Sequence, residues 1–386
     1  MTMKKIDWAK FKDDDEAIEY LKGLPRYKNT AVKSAFNRAL FFATLIKCRL
    51  FGLNRPLFTV FVTNNKCNLN CSYCYGKYGE RKQKDYSTIE FLKIIDELKD
   101  LGARLLTMHG GESLLRRDIS EIFNYAKLKG FCISLNTNGY LVPVRIKEIC
   151  CVDTVILSLD GRKESNDKNR GNGCYDKVME AIEVLTENHV PVVVSATLTA
   201  ENMQDMEYLA ELAVEKNFRV QYSILYNYSA MKDKGCGVVM SDAEIRETIK
   251  KIFTLKKKGY PVYYSYNVLE SAIKWPVSFE KRWFKKGEET IKNYRFVPCY
   301  HGRLKYQIDA DGRVITCWAH DYADAPNVKE RGVAGAIKEC HDRNTCAYCA
   351  FLANNEHNAL MHLSPRNILN IMRIQVEDAF KIKDKN

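Results

Sequence analysis

The chain has no uninterrupted apolar run near the ~18 residues that a membrane-spanning helix needs. Its start, MTMKKIDWAKFKDDDEAIEY, lacks the apolar stretch of a secretory signal, so a cytoplasmic location is expected, with at most peripheral membrane contact. Histidine is scarce: there are 7, and none has H-x-x-H or H-E-x-x-H spacing. No dense basic block interleaved with aromatics accompanies the excess of 60 Lys and Arg over 48 Asp and Glu, so the net charge of +12 reads as a basic surface and nucleic acid is not an expected partner. Internal repeats and low-complexity tracts are also absent. What the chain does have is 386 residues, 46% of them hydrophobic, and 14 cysteines. That is enough for one large domain and a smaller one. In a reducing compartment such thiols are metal ligands or core residues rather than disulfides.

From residue 57 to 258 the pattern alternates between short apolar runs and amphipathic stretches. LFTVFVT, RLLTMHGG, CISLNTNG, TVILSLDG, PVVVSATLT and RVQYSILYN read as strands. Each is followed by a helical stretch; those at 87–102 and after Ser241 open on a serine cap and close on glycine. Six β-then-α units predict an α/β fold, a partial (β/α)6 TIM-like barrel. NNKCNLNC, HGGE, NTNG and SLDG all fall at the C-terminal ends of successive strands, the rim where barrel chemistry sits. The expected division is a helical extension over 1–56, the barrel over 57–258 and a cysteine-rich C-terminal domain over 259–386.

Directly after the first strand come Cys67, Cys71 and Cys74, spaced C-x3-C-x2-C. A structural zinc site wants four ligands and this loop offers three. A [4Fe–4S] cluster held by three thiolates leaves one iron without a protein ligand, open to a small molecule.

In this respect the chain resembles the radical S-adenosylmethionine (SAM) superfamily. The resemblance rests on Cys67-Asn-Leu-Asn-Cys71-Ser-Tyr-Cys74, then HGGE, NTNG and SLDG with a following NRG, over about residues 57–225. It implies that Cys67, Cys71 and Cys74 hold a [4Fe–4S] cluster whose open iron binds the amino and carboxylate groups of SAM. An electron from the cluster then cleaves SAM, and a 5′-deoxyadenosyl radical abstracts hydrogen from substrate. It further implies an oxygen-sensitive oxidoreductase or modifying enzyme fed by a reductant such as ferredoxin or flavodoxin. Gly110 and Gly111 are expected to let backbone approach the ligand, and Glu112 to accept from its ammonium group. Thr137 and Asn138 are candidates for ribose or methionine contacts, and Ser158 and Arg170 for the SAM carboxylate. Asp160 is expected to cap a loop, and His109 is either a packed rim residue or a catalyst.

Near the far end, Cys299 and Cys317 flank an apparent hairpin, LKYQID and RVITCW joined by ADG, and Cys346 and Cys349 form a C-x2-C. This combination resembles the SPASM and twitch extensions of radical SAM enzymes, with fewer cysteines than a full SPASM domain. It implies one auxiliary [4Fe–4S] cluster on Cys299, Cys317, Cys346 and Cys349, with Cys340 outside the set. A four-cysteine zinc ribbon is the competing assignment. Residues 33–53 place Phe36, Leu40, Phe42, Ala43, Ile46 and Leu50 among Arg38, Lys47, Arg49 and Arg55. That is the composition of a helix packed on the barrel's end or lying on a membrane surface. The expected substrate is a peptide, small molecule or lipid. The rival function is a non-catalytic zinc-binding scaffold for nucleic acid or protein partners.

Overall fold

The computed structural model describes residues 6–226, 239–288, 291, 294–318 and 324–381. Cys236 lies outside them. Two helices come first, α1 (Asp14–Lys22) and α2 (Ala31–Leu50). Six parallel strands follow: β1 (Phe58–Val62), β2 (Leu105–His109), β3 (Cys132–Thr137), β4 (Thr154–Ser158), β5 (Val192–Leu198) and β6 (Arg219–Ile224). They lie side by side in sequence order. Parallel neighbours require crossovers. These are α3 (Thr88–Asp100), α4 (Ile119–Leu128), α5 (Val142–Ile149), the pair α6 (Lys163–Arg170) and α7 (Cys174–Glu187), and α8 (Met206–Glu215). Capping boxes fix the start of α3 (Ser87 with Glu90) and of α9 (Asp242–Lys257; Ser241 with Glu244). The pattern misses α6 because KESNDKNR contains no apolar residue.

Each barrel strand turns one set of side chains out to the helices and the other into the lumen. Leu106 and Met108, Ile133 and Leu135, Val155 and Leu157 face outward and are fully buried. The lumen receives Thr107 and His109, Ser134 and Asn136, and from β6 Gln221. The barrel wall is therefore apolar outside and mixed inside, where Phe58, Val60, Leu105, Ile156 and Val193 stand among those polar groups.

Beyond the barrel lie α10 (Tyr266–Ile273), β7 (Trp283–Lys285), β8 (Lys305–Ile308), β9 (Val314–Ile315), α11 (Val328–Asp342), β10 (Cys346–Cys349), α12 (Leu352–Met361) and α13 (Pro365–Lys381). The expected hairpin is β8–β9. Its first strand pairs in parallel with β1, Phe58 opposite Lys305, so the main sheet has eight strands. β10 pairs antiparallel with β7.

Helices α2 and α13 pack against each other and close the end of the barrel where the strands begin. Ser34 of α2 donates to Asp153, just before β4, at 3.2 Å, and Arg219, the first residue of β6, pairs with Glu377 of α13 at 2.6 Å. Phe41, Leu45 and Cys48 of α2 meet Leu57, Phe58, Leu360 and Ile371 in a second apolar core at this floor. Among the described residues no helix is long and apolar enough to cross a membrane.

Candidate functional site

At the opposite, C-terminal rim of the strands lies a cavity of about 390 Å³. The loop after β1 places Cys67, Cys71 and Cys74 on one wall. Gly110, Gly111, Thr137, Asn138, Ser158 and Arg170, from the ends of β2, β3, β4 and α6, form the rest. Sequence positions up to about 100 residues apart are thus brought to one site, as the strand-end rule requires.

The cysteine loop is held by the segment after β2. Gly111 N–H donates to Asn64 O at 3.3 Å, and Glu112 N–H to Lys66 O at 2.7 Å. A Cβ on Gly111 would lie 2.0 Å from the Lys66 carbonyl oxygen and 3.0 Å from the Cys67 nitrogen. The glycine therefore serves close approach between two protein backbones, where neither side can yield. Gly111→Ala is expected to displace the loop; anaerobic reconstitution of the variant should leave it with about four fewer irons per chain than wild type.

Glu112 is placed differently from its expected role. Its carboxylate is buried and does not reach the cavity wall. It accepts from Leu114 N (3.0 Å), Asn138 N (2.9 Å) and the Thr137 hydroxyl (2.9 Å). Burial raises its pKa, and those donors oppose the rise. Held by these three donors, Glu112 positions Thr137 and Asn138 from behind the cavity wall.

Asp160 was expected to cap its loop, but its carboxylate reaches other elements instead, while Asn166 and Asp205 hold the loop's backbone N–H groups. It is fully buried and accepts from Arg170 (2.8 Å), Thr197 N (2.9 Å) and the Tyr73 hydroxyl. Tyr73 lies between Cys71 and Cys74, so this carboxylate ties the cysteine loop to the strand ends. The Arg170 guanidinium lies 5.5 Å from the Tyr73 ring centroid. Among the described residues its Nε has no acceptor, although it is buried at the cavity wall. The Asn136 Oδ1 and Tyr226 hydroxyl are likewise buried without partners and belong to residues lining the cavity. Unsatisfied polar atoms of this kind mark a site shaped for a polar guest.

Burial pushes the Cys67 thiol up to about 11, although Leu69 N–H donates to its sulfur at 3.4 Å. Burial also raises Cys71, and the Arg170 charge opposes that rise. Such thiols deprotonate when a metal takes the proton's place. His109, at the end of β2, is pushed down to about 4 by burial and is neutral near pH 7.

Below the rim the cavity joins the lumen, about 320 Å³, through Tyr75, His109, Asn136, Gln221, Trp318 and Asn354. The second cysteine set lies beside it. Cys299, Cys317, Cys346 and Cys349 line one small pocket with Trp283, His301 and Phe351. Cys299 and Cys346 touch; the contact pulls the Cys299 pKa down and pushes the Cys346 pKa up. Asn354 Nδ2 donates to the Cys317 sulfur at 3.6 Å. Cys340 sits apart in the main core. Among the described residues no three His, Cys, Asp or Glu side chains converge as on a single metal ion.

Lys305, buried at the start of β8, lines the lumen. Burial lowers its pKa to about 8, against the upward pull of Cys317, Cys299 and Cys349. Its Nζ lies 3.0 Å from His357 Nδ1. Neither Lys305 nor Asn136 was singled out in the sequence. The signal was present for Asn136: polar residues recur at alternate positions in β2, β3, β5 and β6.

Comparison with known proteins agrees with this geometry. Residues 61–213 match the model of the Radical SAM superfamily. The chain spans about half the length of the curated relatives it matches. Fe-coproporphyrin III synthase of Methanosarcina barkeri is 27% identical over 224 residues, 55% of each chain. Mycofactocin maturase MftC of Mycolicibacterium smegmatis is 30% identical over 167 residues, 42% of this chain and 43% of the relative. Among solved structures, Streptococcus suis SuiB bound to S-adenosylmethionine matches with a TM-score of 0.60 at 16% identity, over 78% of this chain and 69% of SuiB. The enzyme anSMEcpe with bound AdoMet matches with a TM-score of 0.55 at 15% identity, over 85% of this chain and 100% of that one. These two likenesses support the barrel fold.

Proposed function

We propose that the chain is a radical SAM enzyme carrying two [4Fe–4S] clusters. One would be held by Cys67, Cys71 and Cys74, and the auxiliary one by Cys299, Cys317, Cys346 and Cys349. The observation that carries this reading is the single rim cavity walled on one side by three thiols and on the other by polar strand ends. When bound, the first cluster supplies the electron for reductive cleavage of SAM, which in turn supplies a hydrogen-abstracting radical.

This chain's own residues bind, orient and exclude water. Arg170 brings a positive charge fixed by Asp160 to the cavity wall, suited to the SAM carboxylate. Ser158 and Asn138 offer hydrogen-bonding groups on the same wall. Glu112 holds Thr137 and Asn138 in place from below. Tyr73 and Tyr78 pack beside the cysteines and keep water from the loop. Substrate would occupy the lumen that opens beneath the rim. SuiB has been seen bound to the precursor peptide SuiA, and anSMEcpe to a peptide, which supports a peptide as one substrate class. A ferredoxin or flavodoxin is the proposed reductant.

Anaerobically purified protein should be brown, contain about eight irons per chain and release 5′-deoxyadenosine from SAM when dithionite is added. Colourless protein with stoichiometric zinc and no deoxyadenosine would favour the scaffold reading. Cys346→Ala is expected to remove about four irons per chain and leave basal SAM cleavage within about threefold of wild type. Iron analysis and deoxyadenosine chromatography on one preparation check both parts.

A further inference from the structure

The two helices that close the floor of the lumen share an unusual outer face. On α2, Val32, Phe36, Ala39, Ala43, Ile46 and Leu50 recur at steps of three and four residues, and all are exposed. This stripe lies opposite the buried Ser34, Asn37, Phe41, Leu45 and Cys48. Val32 is 76% exposed, Phe36 62% and Leu50 75%, and Phe51 continues the stripe at 70%. On α13, Leu369, Met372 and Val376 form a second exposed apolar row, with Leu369 at 67%. Because α2 and α13 pack on each other under the same end of the barrel, the two rows share one side of the molecule. Of the 13 large hydrophobic residues exposed among the described residues, eight lie on α2, on α13 or at Phe51. Single exposed apolar residues are ordinary, but a continuous apolar face is a binding surface.

The charge around this face identifies what covers it. No Asp or Glu occurs between Glu19 and Glu80, whereas Lys22, Arg26, Lys28, Lys33, Lys47 and Arg55 are among the cations before the first strand. Lys33 and Lys47 flank the apolar stripe and are exposed. Apolar side chains bordered by cations match an anionic bilayer, where the apolar groups enter the headgroup boundary and the cations meet lipid phosphates.

We infer that the outer face of α2 and α13 seats this protein on an anionic lipid surface. The inner side of the same helices supplies Arg38, Phe41, Ile371 and Ile374 to the lumen wall. Docking therefore sets the floor of the substrate lumen against the bilayer and directs the proposed enzyme toward membrane-borne amphiphiles. This last step rests on the radical SAM reading; the docking itself does not.

The test is flotation of the full-length holoprotein with phosphatidylglycerol vesicles and with phosphatidylcholine vesicles. The expected result is co-flotation with phosphatidylglycerol and at least tenfold weaker partition to phosphatidylcholine. The triple variant Phe36→Asp/Leu50→Asp/Met372→Asp should lower partition to phosphatidylglycerol at least tenfold. So should the charge reversal Lys33→Glu/Lys47→Glu. Val144→Asp, at a residue 78% exposed on α5, should leave partition unchanged. Iron content and melting temperature equal to wild type show that the variants fold. Absence of flotation with phosphatidylglycerol, or flotation indifferent to both sets of changes, overturns the inference. A vesicle-free dimer that the triple variant dissolves, without vesicle binding by wild type, assigns the face to a second copy and also overturns it. Lipid-free deoxyadenosine formation by the triple variant reports separately on the radical SAM reading.

Discussion

Alanine at any one of Cys67, Cys71 or Cys74 is expected to lower dithionite-dependent SAM cleavage by on the order of a thousandfold or more, and to remove about four irons per chain. Two of these thiols cannot grip a cluster that three hold, and the loop offers no substitute donor. The nearby hydroxyls of Tyr73, Tyr75 and Tyr78 are poor ligands for iron–sulfide, and burial raises the Tyr73 and Tyr78 pKa values well above the ordinary phenol range. The auxiliary set should keep its irons in the same variants, because it lies in a separate pocket formed by β7, β10 and the segments around Cys299 and Cys317. Iron content and deoxyadenosine yield, measured together, check the prediction. Full activity in any one of the three variants would remove the site.

The second large effect is expected at Asp160. Asp160→Ala strips the partner from Arg170, whose side chain is only 8% exposed, and releases the Tyr73 hydroxyl and Thr197 N–H. Removing one member of a buried pair leaves an uncompensated charge and costs about 3–5 kcal/mol. Urea unfolding of the anaerobic protein measures it. Because Tyr73 sits inside the cysteine motif, the variant should also bind SAM more weakly. Asp160→Asn keeps an acceptor without the charge, so its loss should be smaller. An unchanged unfolding midpoint in Asp160→Ala would show that the pair contributes nothing.

Much of this architecture was legible in the sequence, for local reasons. The strands carry period 2 and two of the helices, α3 and α9, carry serine caps, so the β-then-α order and the barrel follow from neighbouring residues alone. The cysteine loop and the accessory motifs stand at strand ends, and the structure brings Cys67, Gly110, Thr137, Ser158 and Arg170 to one cavity. Three things were not legible. The parallel pairing of β8 with β1 links residues about 250 apart, and nothing local encodes it. The polar helix α6 has no apolar periodicity to read. Glu112 looked like a ligand group because a carboxylate beside two glycines suits an ammonium ion. Only the fold shows its carboxylate behind the cavity wall, accepting from Thr137, Asn138 and Leu114.

The α2 stripe shows the reverse. Phe36, Ala43, Ile46 and Leu50 were visible in the sequence, but Leu40 and Phe42 prove half-buried, Val32 and Ala39 complete the stripe, and its second half was not visible. Residues 33–53 alone are consistent with a helix packed on the barrel. The exposed row on α13 and the contact between the two helices turn one amphipathic helix into a face.

The central claim is that Cys67, Cys71 and Cys74 hold a cluster with one iron open to SAM. It is tested most directly by electron paramagnetic resonance of the anaerobically reconstituted, dithionite-reduced Cys346→Ala variant, in which the first cluster would be the main signal. Added SAM is predicted to shift the g values of that signal. A spectrum identical with and without SAM, in protein retaining about four irons per chain, would contradict the claim.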